Sequence, residues 1–132
     1  MPNVLEATAN DITAAEKSIL QGIAWSEAEH LGTLLGVPIN RLAAILQIAP
    51  ATMQRRKTAG RFPVDESERI VRFARIWFLA CQALGGAAGA RSWLFREQHG
   101  LSGRIPVDVA RLEIGARSVE SLLHRIDYGI LA

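Results

Sequence analysis

The residues best suited to chemistry in this 132-residue chain lie between positions 50 and 61, and that chemistry is contact with nucleic acid. The segment Pro50–Ala59 opens with a proline, which suits the first turn of a helix, and continues with polar and basic side chains. Near the start of such a helix, glutamine can pair with adenine, and arginine with guanine or phosphate. The candidate DNA-contacting residues are therefore Thr52, Gln54, Arg55, Arg56, Lys57 and Arg61. The same residue types are also typical of a solvated helix surface, so they do not decide the function by themselves.

Positive charge is concentrated around this segment. The net charge of the whole chain is only +2, yet residues 41–75 contain eight lysines and arginines against three acids. Residues 1–40 carry a net negative charge, and residues 76–132 are nearly balanced. A concentration of basic charge in one segment is the electrostatic footprint expected of a phosphate-binding surface.

Other kinds of site find little support in the sequence. His30, His99, His124 and Cys81 share no metal-ligand spacing, and no phosphate-binding loop, dinucleotide-binding glycine pattern or nucleophile elbow occurs. We therefore predict no catalytic residue, no metal and no cofactor, and a small helical enzyme is the least favoured alternative. A single cysteine and the lack of a recognisable signal peptide or membrane span lead us to expect a cytoplasmic protein.

The elements that must position these residues are predicted to be helices, in an all-α fold. No stretch shows the sustained period-two alternation of a strand. Two short helices, 39–47 and 50–59, form a helix-turn-helix candidate, although their turn lacks the glycine that often occurs there. A long helix beginning at Pro63 becomes apolar on nearly all sides from Ile70 onward, as expected of a central helix or a subunit contact.

Further helices are predicted on both sides of this motif. Capping boxes, Thr13 with Glu16 and Ser26 with Glu29, indicate where two of them begin. The additional predicted helices cover residues 13–21, 26–35, 87–96, 106–112 and 116–128, with a loop at 98–104.

The final residues of the sequence admit two interpretations. Gly129 ends the last helix, and the apolar residues Ile130, Leu131 and Ala132 follow it. This tail either packs on the chain's own core or enters an apolar pocket of another protein. The composition of the tail alone favours the first interpretation.

Two stretches resemble the Xre/MbcA/ParS-type antitoxins, the DNA-binding partners in RES–Xre toxin–antitoxin pairs. The first stretch, residues 46–75, combines the basic helix, Gly60-Arg61, a proline and the acids Glu66 and Glu68. The second lies further along, and its matching residues are Trp93-Leu94, Gly103-Arg-Ile-Pro-Val-Asp, Gly115-Ala, Val119-Glu120, Leu122-Leu123, Arg125-Ile126 and Gly129-Ile130. The resemblance covers about residues 34–132. It favours the second interpretation of the tail, in which its apolar residues enter a pocket of another protein.

The resemblance implies a homodimer in which an Xre-like helix-turn-helix bundle, residues 26–75, continues into a helical toxin-binding domain, residues 76–132. Residues 1–25 are expected to form an extension with a short helix. The two implied partners are the operator DNA of the chain's own promoter and a RES-domain toxin that degrades NAD. The C-terminal end would occlude the active-site cleft of that toxin. The residues implied to bind the toxin are Arg104, Ile105, Pro106, Asp108, Arg125, Tyr128, Gly129, Ile130, Leu131 and Ala132. The alternative is a stand-alone helix-turn-helix transcriptional regulator without a toxin partner.

Overall fold

The computed structural model describes residues 4–129, and in that range the chain is helical with no strand, which confirms the predicted all-α class. The chain divides into two compact units between Arg75 and Ile76, inside the longest helix. The elements are α1 Val4–Asn10, α2 Ile12–Gln21, α3 Trp25–Leu35, α4 Ile39–Ile45, α5 Pro50–Ala59, α6 Val64–Leu84, α7 Ala87–Leu94, a 3-10 turn His99–Leu101, α8 Pro106–Val109 and α9 Glu113–Asp127.

Both predicted capping boxes are wrong. The N-cap of α2 is Asp11, whose carboxylate accepts hydrogen bonds from the backbone amides of Thr13 and Ala14 at 2.9 and 3.2 Å. A carboxylate just before the helix satisfies these unpaired amides and so fixes the helix start ahead of the threonine. The N-cap of α3 is Ala24, which makes no side-chain cap hydrogen bond, and Ser26 lies inside the helix.

Several helix boundaries also differ from the predictions. Helix α1 was not predicted at all, and α4 ends at Ile45, two residues before the predicted end. In the second unit, α8 covers only four residues, whereas α9 begins three residues earlier than predicted. Helix ends depend on local capping geometry, which hydrophobic periodicity does not report.

The first unit includes the N-terminal helices together with the helix-turn-helix region. Residues 4–25 are connected to the segment after α5: the amide of Trp25 donates to the oxygen of Gly60, and the amide of Phe62 donates to the oxygen of Ile23, both at 2.9 Å. The rings of Trp25 and Phe62 stack with their centroids 5.8 Å apart. The fully buried side chains of this unit include Leu5, Leu31, Leu42, Leu46, Ile70 and Val71. The predicted N-terminal extension is therefore packed within the same compact unit as the predicted DNA-binding helices.

Ser67 provides a buried polar link in this unit, and its removal should be costly. Its hydroxyl accepts from the amide of Ile23 at 2.8 Å and donates to the oxygen of Phe62 at 3.2 Å. The variant Ser67→Ala leaves the Ile23 amide buried without a partner, so we expect the free energy of unfolding to fall by about 1–3 kcal/mol. Urea denaturation followed by circular dichroism measures this change. The exposed Ser118 of α9 supplies the control, Ser118→Ala, and equal denaturation midpoints for the two variants would contradict the assignment.

The second unit contains the remaining core. Its fully buried side chains include Trp77, Leu94, Val119, Leu122 and Leu123. The guanidinium of Arg91 lies 5.6 Å from the centroid of a Trp77 ring, and the side-chain amide of Gln82 donates to Asp127 at 2.9 Å. Gly115 lets α9 begin against α8, because a Cβ at this position would collide with the backbone oxygen of Val109. The close approach of α8 and the start of α9 therefore requires a glycine at this position.

Within residues 4–129, no individual helix combines the length and the apolar character needed to cross a membrane. Helices α6 and α7 meet these criteria only when they are taken together, and the chain bends by 115° between them.

Candidate functional sites

The turn between α4 and α5 contains no glycine, yet one of its residues adopts a backbone conformation that glycine favours. Gln47 adopts a left-handed conformation with φ of 57°, which is the conformation that a glycine would otherwise supply. The guanidinium of Arg69, from α6, donates to the backbone oxygens of Leu46 and Gln47 at 3.1 and 3.3 Å. These two hydrogen bonds support the strained residue and fix the turn that orients α5.

Helix α5 presents one face to the protein and the opposite face to solvent. Met53 is only 3% exposed and anchors the inner face. Ala51, Gln54, Arg55 and Thr58 are all exposed, and their i, i+3, i+4, i+7 spacing puts them on one stripe. We call these four residues the outer face of α5. Two of the predicted DNA-contacting residues, Gln54 and Arg55, belong to it.

The side chain of Arg55 is oriented by its own helix. Its Nη2 atom donates to the hydroxyl of Thr52 at 3.0 Å, three residues earlier in α5. Because a guanidinium has five N–H donors, this bond leaves four available for another molecule. Lys57 is also exposed and lies beside the outer face.

Arg56, in contrast, is paired within the protein. Its Nε and Nη2 atoms donate to the two carboxylate oxygens of Glu66 at 2.8 and 2.9 Å. The hydrogen bond to Glu66 raises the pKa of Arg56, so the guanidinium stays charged throughout the pH range in which proteins are handled. The pair connects α5 to the start of α6. The spacing of the three consecutive basic residues gave no indication of this partner.

Arg61 also directs its guanidinium at the protein. Its Nη1 atom donates to the backbone oxygens of Gln21 and Gly22, at 3.4 and 2.5 Å respectively. These are carbonyls at the C-terminal end of α2, where a cation is favourable. Among the six predicted DNA-contacting residues, the structure thus places Thr52, Gln54, Arg55 and Lys57 on or beside the exposed side of α5, and it engages Arg56 and Arg61 in contacts that hold helices together.

Three of the residues implied to bind a toxin line one cleft of about 310 Å³ in the second unit: Arg104, Ile105 and Asp108. Arg104 is exposed, and its Nε atom donates to the backbone oxygen of Leu101 at 2.9 Å. Pro106 differs from its neighbours because it is buried at the first turn of α8. Its ring restricts the backbone at the start of α8, and its side chain is not exposed to solvent.

The remaining implied residues lie along or after α9. Arg125 is exposed, and Tyr128 is 73% exposed with its ring stacked on His124 at a centroid separation of 6.4 Å. Gly129 has a φ of 69°, so it leaves the helix in the left-handed conformation that glycine adopts most readily. Ile130, Leu131 and Ala132 lie outside the described residues.

The exposed side of α9 contains residues that the sequence reasoning missed. Ile114 is 75% exposed, and it lines a cleft of about 360 Å³ together with Arg117, Ser121 and Arg125. Successive members of this set, continued by Tyr128, are three or four residues apart and therefore share one side of the helix. We call Ile114, Arg117, Ser121, Arg125 and Tyr128 the α9 stripe. The signal for this isoleucine is the helix start: in a helix that begins at residue 113, Ile114 lies on a different side from the buried Ala116 and Val119.

In the part of the chain that the structure describes, no group of three or more histidine, cysteine, aspartate or glutamate side chains is arranged to hold a metal ion.

Comparisons with known proteins agree with this two-part architecture. Residues 14–75 match the model of the antitoxin Xre-like helix-turn-helix domain, and residues 73–129 match that of the antitoxin Xre/MbcA/ParS C-terminal toxin-binding domain. Antitoxin Xre of Yersinia enterocolitica is 30% identical over 122 residues, which are 91% of this chain and 82% of that protein. Antitoxin Xre of Photorhabdus laumondii is 36% identical over 74 residues, which cover 55% of this chain and 50% of the relative.

A solved structure has the same fold. One chain in the crystal structure of the M. tuberculosis MbcT–MbcA toxin–antitoxin complex superposes with a TM-score of 0.64 at 21% sequence identity. The match covers 82% of this chain and 96% of that one. The helix-turn-helix, the toxin-binding domain that follows it and the near full-length relative lead to one conclusion: the chain belongs to the Xre/MbcA/ParS-type antitoxins, the antitoxin components of toxin–antitoxin systems.

Proposed function

We propose that this antitoxin neutralises a RES-domain toxin, an enzyme that degrades NAD, by covering the active site of the toxin with its C-terminal segment. We further propose that it acts as a homodimer and represses its own operon by binding the promoter DNA. The observation that carries the proposal is the match of residues 73–129 to a toxin-binding domain whose last helix exposes the α9 stripe.

The composition of the α9 stripe supports a protein partner. It combines an isoleucine and a tyrosine, 75% and 73% exposed, with two arginines. Tyrosine and arginine are enriched among the residues that dominate binding energy at protein interfaces. Large exposed apolar side chains gain free energy when a partner removes them from water. A toxin bound to this stripe would contact α9 as far as Tyr128, and residues 129–132 follow directly in the sequence.

The C-terminal segment supplies the occluding group in this proposal. Gly129 turns the chain out of α9, and the residues that follow are Ile130, Leu131 and Ala132. Burial of the isoleucine and the leucine in an apolar pocket would contribute about 1.5–3 kcal/mol each. A short apolar segment at the end of a docked helix can fill an active-site cleft without any chemistry of its own.

Promoter binding rests on the exposed side of α5. Arg55 and Lys57 carry positive charge on or beside the outer face, within the segment where basic residues outnumber acidic ones. A homodimer would present two such helices to two half-sites of a palindromic operator.

Co-expression with the product of the neighbouring gene tests the toxin assignment. If that gene encodes a RES-domain protein, the proposal predicts that the two proteins purify together and that cells expressing both grow, whereas cells expressing the toxin alone stop growing. Separate purification of the two proteins, with growth arrest in the presence of the antitoxin, would contradict it.

The DNA assignment predicts a change in salt dependence. The variant Lys57→Ala should weaken promoter binding and reduce the slope of log K against log salt by about 0.9 if the lysine neutralises one phosphate. Fluorescence anisotropy with a labelled promoter duplex across a salt series measures both quantities. The variant Arg96→Ala removes an exposed arginine that lies outside α5 and should leave the slope unchanged. Identical slopes for Lys57→Ala and the wild type would exclude this lysine from the DNA interface.

A further inference from the structure

We propose that the outer face of α5 selects a DNA sequence in which a G·C pair lies beside A·T pairs, with Arg55 reading guanine, Gln54 reading adenine and Ala51 contacting a thymine methyl group. This inference rests on the proposed binding of promoter DNA and adds to it the residues that read the bases.

A helix that reads bases must first present one exposed face to the DNA. Ala51, Gln54, Arg55 and Thr58 form one exposed stripe opposite the buried Met53. A helix lying in the major groove with its inner face against its own protein presents such a stripe to the base edges. Ala51 and Gln54 lie in the N-terminal half of α5, which is the part of a recognition helix that reaches deepest into the groove.

The side chain of Arg55 is oriented by a hydrogen bond within its own helix. The hydrogen bond to Thr52 at 3.0 Å restricts the guanidinium to the exposed side of α5 and leaves N–H donors on neighbouring nitrogens. A pair of parallel N–H donors matches the O6 and N7 acceptors that guanine presents in the major groove. Thr52 is therefore a positioning residue, and Arg55 is the one that reads the base.

The other two arginines of the predicted DNA-contacting set are engaged within the protein. Arg56 uses the matching pair of donors on Glu66, at 2.8 and 2.9 Å, and Arg61 is bonded to carbonyls at the end of α2. Lys57 is a compact charge with no fixed fork, which suits a phosphate more than a base edge. The structure thus leaves one arginine oriented for guanine on this helix.

The other two residues proposed to contact bases, Gln54 and Ala51, are uncharged. Gln54 is exposed, and a glutamine amide can donate to N7 and accept from N6 of adenine at the same time. Ala51 is exposed one helical turn earlier, and its methyl group can contact only an apolar atom of the groove, which is the C5-methyl of thymine. These two residues favour A·T pairs next to the guanine.

Selection from a random duplex library by the purified full-length protein tests the inference. The wild type should enrich a motif that contains a guanine flanked by adenine and thymine. Arg55→Ala should remove the guanine preference, a loss of about 5- to 150-fold in discrimination at that position. Gln54→Ala should remove the adenine preference. Thr52→Val should weaken the guanine preference while leaving the rest of the motif unchanged.

Lys57→Ala is the matched control in the same helix, because it should weaken binding to all sequences alike and leave the motif intact. If Arg55→Ala, with an unaltered circular dichroism spectrum, selects the wild-type motif, the inference is wrong and promoter binding itself still stands. If the wild-type protein enriches no sequence and does not bind its own promoter duplex in the anisotropy assay, both the inference and the proposed repressor function fail.

Discussion

Deletion of residues 129–132 should abolish neutralisation of the toxin and leave promoter binding unchanged. The loss of the isoleucine and the leucine would remove about 3–6 kcal/mol of apolar burial, which corresponds to a loss of about 10²–10⁴-fold in affinity for the toxin. The effect on neutralisation should be at least as large, because a toxin that still docks on α9 would keep an open active site. Growth of cells that co-express the toxin and the truncated antitoxin measures neutralisation directly.

The same truncated protein provides its own control. Its described core ends before the deletion, because the last fully buried side chains of α9 are Leu122 and Leu123. We therefore expect the wild-type thermal midpoint and the wild-type affinity for the promoter duplex. Protection of cells by the truncated antitoxin would show that the C-terminal segment is not the occluding group, whatever its affinity for the toxin.

The second large effect is expected from a single charge on the α9 stripe. In the variant Ile114→Asp, a carboxylate replaces a side chain that is 75% exposed in the free protein. The fold should tolerate it, but an interface that buries this position would leave the carboxylate desolvated. Truncation of a dominant interface residue costs about 2 kcal/mol or more, so we expect the dissociation constant of the toxin complex to rise at least about 30-fold. Isothermal titration calorimetry with a catalytically inactive toxin measures it.

Ile12→Asp is the matched control for this variant. Ile12 is 87% exposed at the start of α2, so the chemical change and the degree of exposure are comparable, but the residue belongs to the first unit. It should bind the toxin with wild-type affinity. Equal affinities for wild type and Ile114→Asp would remove the α9 stripe from the proposed interface and leave the cleft around Arg104 as the candidate.

The amphipathic pattern predicted the helices well where long periodic segments were present. The buried residues Val119, Leu122 and Leu123 recur at the spacing of one helix face, and they form the core of the second unit as that spacing indicates. The first and last residues of the helices were predicted less accurately than the helices themselves. Asp11 and Thr13 are both suitable N-cap residues. Which of the two caps α2 depends on backbone angles that cannot be read from the sequence.

The roles of several candidate residues depend on contacts between positions that are distant in the sequence, so the sequence pattern alone did not predict them. The sequence of the run Arg55-Arg56-Lys57 does not show which of the three is paired within the protein. Glu66, ten residues further on, accepts hydrogen bonds from only the middle one, Arg56. The missing glycine of the helix-turn-helix is explained in a similar way. Gln47 adopts the left-handed conformation while Arg69 bonds to its oxygen across the turn, and this long-range support cannot be inferred from the turn residues alone.

Occlusion of the active site can be tested by adding the full-length antitoxin to the purified toxin while measuring the rate of NAD degradation, which is the activity proposed for that toxin. If the C-terminal segment covers the active site, the activity should fall in proportion to the added antitoxin, and a stoichiometric complex should consume no NAD. A stable complex that degrades NAD at the rate of the free toxin would contradict occlusion of the active site.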